Sequence, residues 1–160
     1  MEDRIIANLS RDPNKCKIFT SNIDGHCLNS YVYFKEEIEK ELPREENETE
    51  EDYLKRYALE VERGNKVLKK IRQRGKPCTF GLAYGCFPPK LAKSAKIPLE
   101  EAEEIYNRYH NVLYKDIPQM RDKVLETAIV KGKINLGLGC VLNTSDPEKE
   151  IRTLHNALIR

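Results

Sequence analysis

Four residues in one stretch could do chemistry together. Within Arg72 to Gly85, which reads RQRGKPCTFGLAYG, Arg72, Lys76, Phe80 and Tyr84 recur at every fourth position. At about 100° per residue each successive member drifts only about 40°, so a helix would carry all four on one broad face. Two cations lead the row and two rings follow. Cations answer phosphate charge, and aromatic faces answer a base or a sugar. A row that passes from phosphate chemistry to ring chemistry suits an extended nucleotide. Arg72 and Lys76 taken alone have a plainer reading, as basic residues on the wet edge of an amphipathic helix.

The charge pattern around the row supports a polyanionic partner. Net charge is only +2, but it is unevenly spread. Between Glu36 and Glu62 there are twelve acids against four bases; between Arg63 and Lys96 there are ten bases and no acid. That basic block holds the row, and its local positive field would attract nucleic acid. A length of 160 residues allows one domain or part of a larger one. Hydrophobic residues make up 39% and charged residues 34%, so the core should be modest.

Cysteine usage points to a reducing compartment. Cys16, Cys27, Cys78, Cys86 and Cys140 are odd in number and no two form C-x2-C, which argues for free thiols. His26 and Cys27 are adjacent, a poor arrangement for sharing one tetrahedral metal. No run approaches the ~20 apolar residues of a membrane span, and no signal peptide precedes the first charges.

The elements that must position the row read mostly as helices. Met1 to Asp12 carries a stripe of Ile5, Ile6 and Leu9, and Pro13 opens a second short helix with Asp12 as its cap. Ser21-Asn22 and Asp24-Gly25 are turn-like. Leu28 to Phe34 would permit a strand on its tyrosines and valine. Pro43 to Glu51 reads as a solvated loop or frayed insertion. Tyr53 to Arg74 reads as one helix that Gly64 interrupts only mildly. Gly75-Lys76-Pro77 should kink or break it, because proline inside a helix costs about 3 kcal/mol and removes a donor. A short helix follows from Pro88 to about Ala95, and Pro98 opens another that runs to Lys115, with Ile105, Tyr109, Val112 and Leu113 on its buried side. Pro118 opens another, ended by Gly132. Ile134 to Leu142 reads as a hairpin around Gly137 and Gly139. Ser145 to Glu148 has capping-box spacing ahead of a last helix.

The RQRGKPCTFGLAYG stretch resembles the fingers-helix motif of family A DNA polymerases, the DNA polymerase I group, in a phage-like version. The flanks fall into the same register. Glu2 and Arg4 match the end of the first palm motif, D-x-S-x2-E-x-R, whose aspartate would lie before Met1. Asp24-Gly25-His26 resembles the D-x-H element. Residues from Lys96 to Asp122 resemble the helices after the fingers motif. Arg152 and Asn156 resemble the R-x3-N of a palm helix, with Arg160 where the family has glutamine. The comparison favours helix over strand for Leu28 to Phe34.

The resemblance implies a mainly α fold with a small β-hairpin, the fingers subdomain plus an incomplete palm of a right-hand polymerase. Residues 1–34 would be the palm-to-fingers start, 35–62 an acidic insertion, 63–131 the fingers helices, and 132–160 the palm hairpin and the start of the next palm helix. It implies DNA-directed DNA polymerase activity with DNA template-primer and dNTP as partners, in the cytoplasm of a bacterial or phage-infected cell, without a membrane. Arg72 and Lys76 would hold the triphosphate, with Lys76 also assisting the pyrophosphate leaving group. His26 would donate to the phosphates and Phe80 would line the sugar pocket. Tyr84 and Gly85 would sit at the templating base, Glu2 beneath Tyr84 as a gate against a 2′-hydroxyl, and Arg152 and Asn156 on template or primer.

Each of these has an ordinary counterpart. Glu2 and Arg4 also suit a solvated helix end, His26 and Asp24 a turn, and Arg152 and Asn156 a helix surface. Neither metal-binding aspartate of the family is expected within these residues. Mg²⁺ would then be held by ligands outside this chain, either on a second polypeptide of a split gene or in the remainder of an incomplete reading frame, and the isolated chain would be inactive. The alternative is a non-catalytic nucleic-acid-binding helical module, for which the basic block and tyrosines would suffice.

Overall fold

The computed structural model describes residues 2–159, and for Glu2 the backbone only. The expected side chains of Glu2 and Arg160 lie outside the described residues. Ten α-helices, a π-helical turn and one hairpin make up the described chain, as the mainly α reading expected. They fall into two compact units, one of residues 1–16 with 114–160, the other of residues 17–113.

The first unit is built on α1 (Glu2–Ser10), α9 (Asp116–Lys131), the strands β1 (Lys133–Gly137) and β2 (Cys140–Asn143), and α10 (Pro147–Ile159). Antiparallel pairing of β1 with β2 aligns Ile134 with Leu142, as the hairpin reading required. Gly137 and Gly139 take φ of +92° and +81°, the left-handed conformations that a side chain resists. Val124, Ala128, Ile134 and Leu154 form its core, flanked by Leu136, Leu142, Ile151 and Leu158. The start of α10 differs from the capping-box expectation. Asp146, not Ser145, accepts from the Lys149 amide, at 3.3 Å.

Asp12 caps α2 (Pro13–Thr20) as expected, its Oδ1 accepting from the Lys15 amide at 3.0 Å. The surprise there is Lys15, which is 0% exposed. Its ammonium meets Asp3 Oδ1 at 2.9 Å and lies 4.4 Å from the Tyr114 ring centroid. The charge is thus offset by one carboxylate and one aromatic face.

The second unit is arranged about α3 (Gly25–Tyr33), which packs against α4 (Lys35–Glu41), α5 (Glu50–Glu62), α6 (Lys66–Ala83), α8 (Leu99–Arg108) and the π-helical turn Tyr109–Leu113. Leu28 to Tyr33 is therefore helical, not a strand. The chain breaks at Gly64 and not at Gly75-Lys76-Pro77. The helix starting near Tyr53 ends at Glu62, where Gly64 adopts φ +99° and Asn65 caps the next helix by accepting from the amides of Val67 and Leu68, both at 3.0 Å. Conversely, α6 runs unbroken through Gly75-Lys76-Pro77, with Pro77 inside it. The burial of Leu68, Ile71, Cys78 and Leu82 along one face of α6 outweighs the local cost of a missing donor.

Helix α7 (Pro88–Ala95) packs on α8 and on α6. The expected helix from Pro98 ends sooner than its pattern suggested, at Arg108, and continues as the π-helical turn. That shift in register leaves Tyr109 and Leu113 buried but turns Val112 outward, against expectation.

Candidate functional site

α6 presents Arg72, Lys76 and Phe80 from one helix, and Tyr84 forms its C-cap. All four lie in the same compact unit, with Arg72, Lys76 and Tyr84 half-buried and Phe80 49% exposed. Gly85 follows with φ +74°, its amide donating to Leu82 O at 2.9 Å, so the chain turns sharply after the last ring.

The helix is held from behind by α3 at very close range. A Cβ on Gly75 would lie 3.0 Å from Ser30 Cβ and 3.3 Å from Ser30 Cα. Ser30 Oγ also meets Tyr57 OH at 3.1 Å, and Tyr33 OH meets Thr79 Oγ1 at 3.3 Å. The Gly75–Ser30 approach and the Tyr33–Thr79 contact set the rotation of α6 against α3, and hence the direction of its opposite face. Arg74 adds a further tether, with its guanidinium 3.9 Å over the Phe34 ring and ion-paired to Glu37.

His26 stands beside the row, in the first turn of α3. Its ring centroid lies 6.0 Å from that of Phe80 at an interplanar angle of 54°. The D-G-H segment and the α6 row, 48 residues apart at Asp24 and Arg72, therefore meet in space. Arg72, Lys76, Phe80, Tyr84 and His26 are gathered in one unit. Arg152 and Asn156 belong to the other unit, on α10, where Arg152 is exposed and the Asn156 Oδ1 is buried with no hydrogen-bond partner among the described residues.

The two cations are not equivalent. Lys76 has no ion-pair partner among the described residues, so its charge is uncommitted. Arg72 is 16% exposed along its side chain and pairs with Asp24, Nη2 to Oδ2 at 2.7 Å. Asp24 was read as a turn residue. It is that, capping α3 by accepting at Oδ1 from the amides of His26 and Cys27 at 2.8 and 3.0 Å. Its second oxygen is what sequence reasoning missed.

The electrostatics follow from this pairing. Burial pushes the Asp24 carboxyl up, but the Arg72 guanidinium and the two amides outweigh it and hold the group below the ordinary aspartate range. Burial likewise disfavours the Arg72 charge, and Asp24 more than restores it. The neighbouring Cys27 thiol is pushed up to about 12, by burial first and by the Asp24 charge second, so it stays protonated and inert. Among the described residues no group of three or more His, Cys, Asp or Glu side chains could hold a metal ion.

This arrangement can bind an elongated anion with an aromatic or sugar end. One ammonium with no ion pair among the described residues and one anchored guanidinium lie along a helix that ends in a half-exposed ring and a tyrosine. The family model for DNA polymerase family A matches residues 1–151. The thermostable DNA polymerase I of Thermus aquaticus is 24% identical over 163 residues, a match covering 100% of this chain and 16% of that protein. The backbone is similar to the POL domain of Pol1 from M. smegmatis in complex with DNA primer-template and dNTP, with a TM-score of 0.70 and 23% identity over 99% of this chain and 25% of that one. This chain thus spans a small part of each relative.

Proposed function

This chain belongs to DNA polymerase family A, and on that footing we propose that it serves DNA-directed DNA synthesis, with α6 as the helix that receives the incoming dNTP. One observation carries the reading. Arg72, Lys76 and Phe80 share a helix whose C-cap is Tyr84, and His26 comes in from α3 to meet Phe80 at 6.0 Å. In this assignment Lys76 and Arg72 take the triphosphate, with His26 as a further donor. Phe80 lines the sugar, and Tyr84 with Gly85 borders the templating base. Glu2 acts as the gate against a 2′-hydroxyl. Arg152 and Asn156 on α10 contact template or primer, where the buried Asn156 Oδ1 would gain the donor it lacks.

Nucleotide addition is phosphoryl transfer, in which a protein mainly positions groups and offsets developing charge. Lys76 is suited to the second task as a mobile point charge, and Arg72 to the first as a planar donor held in place. Members of the family are generally metal-dependent, and a bound Mg²⁺ polarises phosphoryl oxygens. The described residues of this chain do not fit such an ion. We therefore place the Mg²⁺ ligands elsewhere, on a second polypeptide or further sequence, and expect no primer extension from these 160 residues alone. Among the described residues no helix is long and apolar enough to cross a membrane.

Titration of the 160-residue chain with a fluorescent dNTP tests this. Lys76→Ala should weaken triphosphate binding about tenfold while lowering single-stranded DNA affinity only fractionally. Equal fractional losses for both ligands would instead favour a general nucleic-acid-binding module. Templated extension by the chain alone would overturn the placement of the metal ligands.

A further inference from the structure

We propose that Asp24 is a positioning residue of the triphosphate site, seating Arg72 and His26 on a single carboxylate so that both present toward the same phosphate chain. The inference rests on the dNTP reading of α6 given above.

The carboxylate is saturated from two directions. Oδ1 accepts from the amides of His26 and Cys27, which fixes where α3 begins and so where His26 leaves the helix. Oδ2 accepts from Arg72. An aspartate engaged by three donors on two separate elements has little freedom to turn, and neither do the groups it holds. The contact with Arg72 is made through one nitrogen, not as a two-pronged fork. A guanidinium carries five N–H donors, and the Asp24 contact engages one of them, through Nη2. Donors therefore remain for phosphate oxygens after Asp24 has taken its share. Without this anchor, a long arginine would have to be ordered by the nucleotide itself, at an entropic cost subtracted from affinity. The lowered Asp24 carboxyl is consistent with a permanently ionised anchor.

A carboxylate beside an arginine could also act oppositely, as an anionic stand-in that phosphate must displace. The two roles predict opposite signs. In Asp24→Asn the amide oxygen can still cap α3, while its NH₂ replaces Oδ2 and cannot accept from the guanidinium. The 160-residue chain is titrated with methylanthraniloyl-labelled dATP and dAMP as wild type, D24N, R72A and D24N/R72A, and each variant is melted thermally. D24N should remain cooperatively folded, melting somewhat below wild type for loss of the ion pair, and bind the triphosphate roughly tenfold more weakly, with little change toward the monophosphate. It should add almost nothing in the R72A background, since both changes remove one arrangement.

Wild-type-like or tighter triphosphate binding by D24N would overturn the proposal, as would an equal loss in the R72A background. If D24N fails to fold, Asp24→Ser carries the same comparison, because serine caps a helix but is too short to reach Arg72. A wild-type chain that binds no dATP removes the nucleotide reading itself, and this inference with it. A wild-type chain that binds dATP, with D24N unchanged, removes this inference alone.

Discussion

Asp24 Oδ2 and Arg72 Nη2 lie 2.7 Å apart, joining the loop before α3 to the middle of α6. The pair is partly shielded and its carboxyl is depressed, which sets the sign of its response to acid. A group whose folded value lies below its unfolded one stabilises fully above the unfolded value and loses that contribution as pH falls through the folded one. The contribution should therefore be intact at neutral pH and decline from about pH 4 downward. Urea melts from pH 7 to pH 3 should show a steeper loss for wild type than for Asp24→Asn. Parallel curves would mean the pair contributes nothing to folding.

Gly75 is expected to be the least replaceable residue of α6. Alanine there gains about 1 kcal/mol of helix propensity. Against this, its Cβ would press on Ser30 Cβ at 3.0 Å and on backbone at 3.3 Å. Overpacking typically costs about 1–3 kcal/mol, and backbone cannot rotate away as a flexible side chain could. Gly75→Ala should therefore be net destabilising by about 1–2 kcal/mol in urea denaturation. A gain in stability would show that α3 yields easily.

Lys15 and Asp3 predict an asymmetry. Lys15 is fully buried while the Asp3 side chain is half-exposed; removing Asp3 strands a buried charge, whereas replacing a buried charge by an apolar group of similar volume is often neutral or stabilising. Asp3→Asn leaves the fully buried ammonium facing the Tyr114 ring without its carboxylate and should lower the melting temperature. Lys15→Met should leave it unchanged or raise it. The reverse order, read by differential scanning calorimetry, would contradict this account of the pair.

Pro77 sits inside α6 with its own side chain exposed. Pro77→Ala returns a backbone donor for the Gln73 carbonyl and removes the ring from that turn, so it should stabilise the chain by about 1–3 kcal/mol. A loss of stability would mean that the helix depends on the geometry proline imposes. The same titration with labelled dATP would then reveal whether Lys76, its neighbour, moves with it.

The placement of Arg72, Lys76 and Phe80 on one helix, with Tyr84 at its end, was legible, because positions at a constant interval of four have one simple explanation in a helix. The fold class and the hairpin were legible for a similar reason: periodicity and paired glycines act locally. The break points were not. Pro77 is the stronger local breaker, yet the chain breaks at Gly64, where Asn65 offers a cap and no buried face is interrupted. Val112 was misassigned because a π-helical turn shifts the register that the apolar pattern assumes. Asp24 was visible only as a turn residue, since nothing in a linear reading pairs a carboxylate with a guanidinium 48 residues away. Buried Lys15 was invisible for the same reason, as its partners are set by packing.

The stretch from Lys35 to Glu62 looks from its charge like a passenger that could be cut out and replaced by a flexible spacer. Its tyrosines say otherwise. Tyr53 and Tyr57 are fully enclosed, and the Tyr57 hydroxyl touches the same Ser30 against which Gly75 rests. An acidic exterior thus hides a keystone. Excising it would strip the back of α6 to water and unseat the very serine that sets how far that helix can lean, so shortened versions should be judged by whether α6 survives rather than by whether the charge is missed.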